Sequence, residues 1–165
     1  MSAEFESYVQ RYSADLTRFC FSLCKNTYDA EDLFQETWLK AMKNLKRYNP
    51  EKSFDKWLFA ICANTFKDRK RLFFNRQKLD FSSHEEKSVF LNSIPDISSE
   101  NSFLYLELHN AVSTLPKKER VVLALYYFKD YTIKEISEIL NTPESTVKSR
   151  LKKAKSDLKR RLGYE

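Results

Sequence analysis

The chain has 165 residues, 42% of them apolar and 32% charged, with a formal net charge of +6; that balance buries a core and excludes a disordered or fibrous chain. One glycine, Gly163, excludes a sheet built on tight hairpins and any glycine-rich phosphate loop. Residues 1–74 carry 13 basic and 10 acidic side chains, 75–107 carry 3 and 6, and 108–165 carry 13 and 7 (net +3, −3 and +6), so two basic blocks flank an acidic middle, as fits two nucleic-acid-facing units joined by a segment that does not bind duplex DNA.

The opening MSAEFESYVQ has no charged-then-apolar signal pattern, and the longest apolar run, residues 121–128, is far too short to span a bilayer. The expectation is a cytoplasmic chain without membrane insertion. Residues from about 3 to 25 place Phe5, Tyr8, Tyr12, Leu16, Phe19 and Leu23 on one helical stripe, closed by a turn at Lys25 to Tyr28. A second helix runs to about Arg47 with Asp29 as its cap. Its buried side is Ala30, Leu33, Phe34, Thr37, Trp38, Ala41 and Leu45. Asp29, Glu31, Asp32 and Glu36 gather at its start and Lys40, Lys43, Lys46 and Arg47 at its end. Such charges ordinarily complement the helix dipole, and here they also offer a docking surface for a basic partner.

The segment RYNPEK, Arg47 to Lys52, breaks that helix at Pro50, and Ser53 starts a third with Phe54, Trp57, Leu58, Ile61, Cys62 and Thr65 on one face. Aromatics and cations interleave from Tyr48 to Phe74. Core packing claims Phe54, Leu58 and Ile61. The loop residues and the helix end remain for stacking on unpaired bases and tracking phosphates.

Three cysteines, Cys20, Cys24 and Cys62, leave an odd one for any disulfide scheme, and their spacing with His84 and His109 matches no zinc pattern. They read as buried thiols, and neither a metal nor any other cofactor is expected. Neither histidine stands in a recognisable nucleophile context, which argues against an enzyme. Residues 76–101, with six serines and Pro95, read as a flexible acidic linker that leaves the spacing of the flanking units unset.

Helical pattern resumes near Ser102, breaks at Leu115 and Pro116, and continues as an apolar helix from Lys117 to Phe128. Thr132 followed by Glu135 is a capping box, and Ile133, Ile136, Ile139 and Leu140 give the next short helix an apolar side. Asn141 stands where a left-handed turn residue is needed, Thr142 offers a cap, and Pro143 suits a first helical position. In the last helix Val147, Leu151, Ala154 and Leu158 face a core, while Ser145, Lys148, Ser149, Lys152, Ser156 and Lys159 share the opposite face. From Lys148 to Arg161 there are eight Lys or Arg against one acid, Asp157. This is a helix-turn-helix whose second helix suits a DNA groove. Seven helices and no strand make the chain all-α, in two small helical domains.

In this order DAEDLFQETWLKA (29–41), a broken loop, SFDKWLFAICANTFKDRKR (53–71), a polar linker and LPKKERVVLALYYFKDYTIKEISEILNTPESTVKSRLKKAKSDLKRRL (115–162) resemble the small bacterial sigma factors of the extracytoplasmic-function group. The resemblance spans nearly the whole chain. It implies a sigma region 2-like domain over residues 1–75, a linker over 76–101 and a sigma region 4-like helix-turn-helix domain over 102–165. It implies docking on the clamp coiled coil of the largest subunit of core RNA polymerase through Asp29, Glu31, Asp32, Gln35 and Glu36. Tyr48, Asn49, Lys52, Asn64, Lys67 and Arg71 would hold the downstream promoter element as melted DNA. Ser145, Thr146, Lys148, Ser149, Arg150 and Lys152 would enter the major groove of the upstream element. The free chain would be a monomer, restrained by an anti-sigma factor. A helix-turn-helix regulator acting as a dimer on operator DNA is the competing reading; it requires a palindromic site rather than two unlike contacts.

Overall fold

The computed structural model describes residues 2–69 and 102–164, with side chains in the second stretch from residue 106 onward. The described residues form seven α-helices and no strand. The first half is α1 (Ala3–Leu23), α2 (Thr27–Asn44), a short 3-10 turn (Leu45–Arg47) and α3 (Phe54–Asp68). The expected stripes meet. Leu16, Phe19 and Leu23 of α1, Leu33 of α2, and Leu58 and Phe59 of α3 are fully buried, each side chain contributing roughly 1.5–3 kcal/mol. Phe19 meets Phe59 edge to face at 4.9 Å, and Phe5 meets Trp38 at 5.7 Å, the ring arrangement that aromatic quadrupoles favour.

Cys20, Cys24 and Cys62 are free and buried in this core, with the Cys20 and Cys62 sulfurs 3.7 Å apart. Burial pushes the Cys20 and Cys24 thiols up, so they stay protonated and serve as small apolar filler. The cap of α2 differs from the sequence reading. Asn26, not Asp29, is the cap, its side chain accepting from the Asp29 backbone at 2.9 Å. Asp29 falls in the first turn, where its carboxylate accepts from the Asn26 amide at 3.1 Å. Both residue types cap well, and the tight turn after α1 favours the earlier one. Ser53 caps α3 as expected.

The second half is α4 (Ser102–Ser113), α5 (Lys117–Leu123), a π-helical turn (Ala124–Phe128), α6 (Ile133–Leu140) and α7 (Glu144–Arg161). The single helix expected from Lys117 to Phe128 widens in its last five residues, where the Lys129 amide donates back to the Ala124 carbonyl at 3.3 Å. The capping box of α6 is complete, and Asn141 adopts the left-handed conformation (φ 49°), bringing the Thr142 amide to the Ser137 carbonyl at 3.0 Å. Thr142 is not the cap of α7. Its hydroxyl donates to the Leu140 carbonyl at 3.0 Å, and Pro143 takes the cap position without a side-chain bond. Val147, Leu151 and Ala154 of α7 are buried.

The two halves are not held apart. α3 lies against α5 and α6, α1 lies against the π turn and α4, and the apolar core is continuous across the joint. Around it the contacts are polar. His109 Nε2, 2.9 Å from the Phe21 carbonyl and 3.1 Å from that of Cys24, carries its proton toward both. Arg120 donates to the Leu23 carbonyl at 2.6 Å. These two side chains satisfy the carbonyls that α1 leaves open at its end. Lys117 donates to the carbonyls of Phe66 and Arg69 at the end of α3. No helix among the described residues is long and apolar enough to cross a membrane.

Candidate nucleic-acid interface

Three surfaces carry the residues singled out from sequence, and the two halves hold theirs differently. On α2, Glu31 and Gln35 are exposed, whereas Asp29 is engaged at the cap. Asp32 and Glu36, one turn apart, face a single guanidinium: Arg69 Nε lies 3.4 Å from Glu36, its outer nitrogens reach Asp32 at 3.9 Å and the Asp29 carbonyl at 3.0 Å. Lys40 adds a second cation 3.3 Å from Glu36. The surface runs along the helix from exposed Tyr28 at its start to exposed Leu39 and Met42 toward its end. Sequence reading missed these three. The signal was their 3/4/7 spacing with Asp32 and Gln35, which puts an apolar patch on the acidic stripe.

The loop after α2 is ordered by itself. Asn49 accepts the Glu51 amide through its side chain at 3.0 Å and the Lys52 amide through its carbonyl at 2.9 Å, and the Tyr48 hydroxyl donates to the Lys52 carbonyl at 2.6 Å. The Tyr48 ring packs 5.3 Å from Phe54 and 5.0 Å from Trp57, and Tyr8 stacks on Phe54 at 3.8 Å. Burial first, then the neighbouring Tyr12 and Glu4, hold the Tyr48 phenol above its ordinary value. Tyr48 is therefore a half-buried prop of the loop, while Asn49 and Lys52 stand exposed on its rim. On α3, Asn64 and Lys67 are half-buried and share a flank with Lys56 and Ala60 at helical spacing. Arg71 lies outside the described residues.

On α7, Ser145, Lys148, Ser149 and Lys152 are exposed, and Thr146 and Arg150 are half-buried at the edges. The Ser149 hydroxyl donates to the Ser145 carbonyl at 3.0 Å, which leaves a smooth strip between cations. Lys148, Arg150 and Lys152 make no ion pair among the described residues. A groove beside this face is lined by Tyr126, Ile133, Leu151 and Ser156, with Lys148, Lys152, Lys155 and Lys159 along its rim. Lys155 sits 5.4 Å and 5.3 Å from the rings of Tyr126 and Tyr127, and its bond with the Tyr127 hydroxyl holds its ammonium above the ordinary value. Neither Lys155 nor Tyr127 was singled out in sequence, since they meet only through the π turn. An exposed strip of small hydroxyls between unpaired lysines can approach a groove closely and neutralise phosphates.

Comparison with known proteins points the same way. Residues 8–72 match the family model described as Sigma-70 region 2, and residues 105–158 match Sigma-70, region 4. The chain is 33% identical over 150 residues to the ECF RNA polymerase sigma factor SigM of Bacillus subtilis (strain 168), covering 91% of this chain and 90% of that protein. It is 29% identical over 169 residues to SigW of the same organism, another ECF RNA polymerase sigma factor, covering 96% and 88%. Among solved structures, the sigma factor RpoE of Bartonella quintana, in complex with the anti-sigma factor NepR, shares the fold with a TM-score of 0.72 at 20% identity, over 98% of both chains. CnrH, in complex with the cytosolic domain of CnrY, does so at 0.66 and 19%, over 96% of this chain and 87% of that one.

Proposed function

The chain belongs to the ECF RNA polymerase sigma factors, and from that premise we propose how its surfaces divide the work of an alternative sigma factor. It binds core RNA polymerase and directs promoter recognition and the initiation of transcription. Sigma factors are initiation factors rather than enzymes. In our reading residues 1–75 form the unit that binds core polymerase and the downstream element, 76–101 the linker, and 102–165 the unit that reads the upstream element. Glu31, Asp32, Gln35 and Glu36, with Asp29 fixing the start of the helix, dock on the clamp coiled coil of the largest polymerase subunit. Leu39 and Met42 extend that contact. Asn49 and Lys52 on the loop, Asn64, Lys67 and Arg71 meet the melted downstream element, with Tyr48 bracing the loop. Ser145, Thr146, Lys148, Ser149, Arg150 and Lys152 enter the major groove of the upstream element.

The observation that carries this division is the pair of unlike surfaces, an acidic, partly apolar stripe on α2 and a free cationic face on α7, in separate halves of one chain. A dimeric operator-binding regulator has no use for the first. The chain acts in the cytoplasm, is a monomer when free, and is restrained by an anti-sigma factor, as RpoE is seen with the anti-sigma factor NepR. Run-off transcription on a promoter library, with and without core polymerase, tests the proposal. The expected result is specific initiation only when both are present. Tight sequence-specific binding by a dimer of the isolated chain would overturn it.

A further inference from the structure

The cationic end of α3 divides between two sides of the helix. Lys67 lies with Lys56, Ala60 and Asn64 on the flank read above as facing melted DNA, whereas Thr65 and Arg69, one turn apart, lie on the other side, toward α2. Arg69 is the cap of α3: its amide donates to the Thr65 carbonyl at 3.0 Å, and its backbone has left the helix (φ −64°, ψ 115°). Its carbonyl accepts from the Lys117 ammonium of α5, so the residue is held from the second half as well. The side chain, 25% exposed, turns back over the first turns of α2.

There the guanidinium is shared three ways. One outer nitrogen donates to the Asp29 carbonyl at 3.0 Å, the other lies 3.9 Å from the Asp32 carboxylate, and Nε lies 3.4 Å from Glu36 Oε2. Lys40 meets the other oxygen of Glu36 at 3.3 Å and donates to the Thr65 hydroxyl at 3.2 Å. Two carboxylates one turn apart on an exposed helix face repel each other. Here Arg69 and Lys40 set the orientation of both and match their two negative charges with two positive ones. The fork is particular to arginine: donors fixed in one plane reach two carboxylates and a carbonyl at once, which an ammonium on a flexible stem does not reproduce.

We infer that Arg69 is a positioning residue for polymerase docking rather than a contact to DNA: it presents Asp32 and Glu36 to core polymerase in one preset, charge-matched arrangement. This role rests on the reading of α2 above as the docking helix. Side chains ordered beforehand lose little freedom on binding. Without the guanidinium that ordering falls on the binding step, and core binding should weaken by about tenfold. The two carboxylates would also reach the interface with less of their charge matched, so that binding becomes more salt-dependent. A cation that only tracks DNA phosphates would do neither.

Titration of core polymerase with the full chain across a salt series tests this role, with a thermal melt of each variant and promoter binding by the assembled holoenzyme. Arg69→Met should bind core about tenfold less tightly at moderate salt, the deficit shrinking as salt is lowered. Once saturated with core, it should bind promoter DNA as the parent does. Arg69→Lys, which keeps the charge and loses the fork, should recover the parent's salt dependence and only part of its affinity, and it decides the matter if the methionine variant folds poorly. In an Asp32→Asn, Glu36→Gln background Arg69→Met should have almost no further effect on core binding, since no carboxylate is left for it to orient. Lost stability with unchanged core affinity and salt dependence would make Arg69 a packing residue. Weaker promoter binding by saturated holoenzyme, with core binding unchanged, would make it a DNA contact. Either result overturns the inference. A parent chain that does not bind core polymerase at all would instead overturn the reading of α2 as the docking helix.

Discussion

The two halves hold their functional charges in opposite ways. In the first, several of the groups singled out also make an internal contact: Asp29 at the α2 cap, Asp32 and Glu36 on Arg69, Tyr48 within an aromatic cluster. In the second, Lys148, Arg150 and Lys152 project without an ion pair among the described residues. A charge already engaged can be lent to a partner only by exchanging one contact for another, whereas a free charge is available at once and costs nothing to the fold when removed. Substitutions in the first half should therefore mix stability with binding, and those on α7 should separate them.

The comparison breaks most severely where both halves rest on one side chain. Phe59 is fully buried against Phe19 and lies under Lys129. Phe59→Ala should lower stability by about 3–5 kcal/mol, read as a lower denaturant midpoint. A loss under about 1 kcal/mol would mean that the joint contributes little.

Reversing charge at an engaged pair comes next. Asp32→Lys with Glu36→Lys should weaken core binding by about 2–5 kcal/mol through lost and repelled partners. Each change should take no more than about 1 kcal/mol from stability, since the two carboxylates are 41% and 40% exposed. Titration against core polymerase, with a thermal melt of the same sample, separates the two quantities. Normal holoenzyme assembly would remove α2 from the docking surface.

On α7 the effects should be smaller and cleaner. Lys148→Ala or Arg150→Ala should change preference at one or two upstream positions by about 1–3 kcal/mol, with stability within about 0.5 kcal/mol. Lys159→Ala, further along the helix, should weaken all promoters alike and reduce the salt slope by about one phosphate contact. Binding across promoter variants and a salt series distinguishes them. Equal, sequence-blind losses would mean that α7 only grips the backbone.

The mildest test concerns pH. Lys56 first, then the Thr132 amide, holds the Glu135 carboxyl below its ordinary value. A carboxyl lowered on folding stabilises the protein above its unfolded pKa, and that contribution is lost as pH falls through the lowered one. Glu135→Gln should therefore melt earlier than the parent at neutral pH, and the gap should close in acid. A gap that is constant across the acid range would assign the effect to shape rather than charge.

What could be foreseen tracks the range of the interaction. Thr132 and Glu135 are three residues apart and Asn141 serves a turn beside it, so residue type alone disclosed both. The stripes of α1 to α3 repeat at helical spacing and were equally visible. Where two nearby residues could do one job, Asn26 or Asp29, Thr142 or Pro143, local preference did not choose, because the chain path decides which side chain reaches the open amides. Arg69 returning to α2 spans 40 residues and Lys129 meeting Asp55 spans 74. No periodicity carries such a pairing, and so the linker reading suggested two independent units where the structure closes them on each other.

The end of α1 gives the chain a schedule. Its last carbonyls wait for His109, 88 residues after Phe21, and for Arg120, 97 residues after Leu23. At a synthesis rate of about 5–20 residues per second, that wait lasts roughly 5–20 s after α1 leaves the ribosome. In its later part, once α3 has also emerged, the three-helix unit is unfinished at one edge, with the end of α1 not yet met by His109 and Arg120. A nascent sigma unit in that state is open to any partner present on the ribosome before it has a second half to close upon.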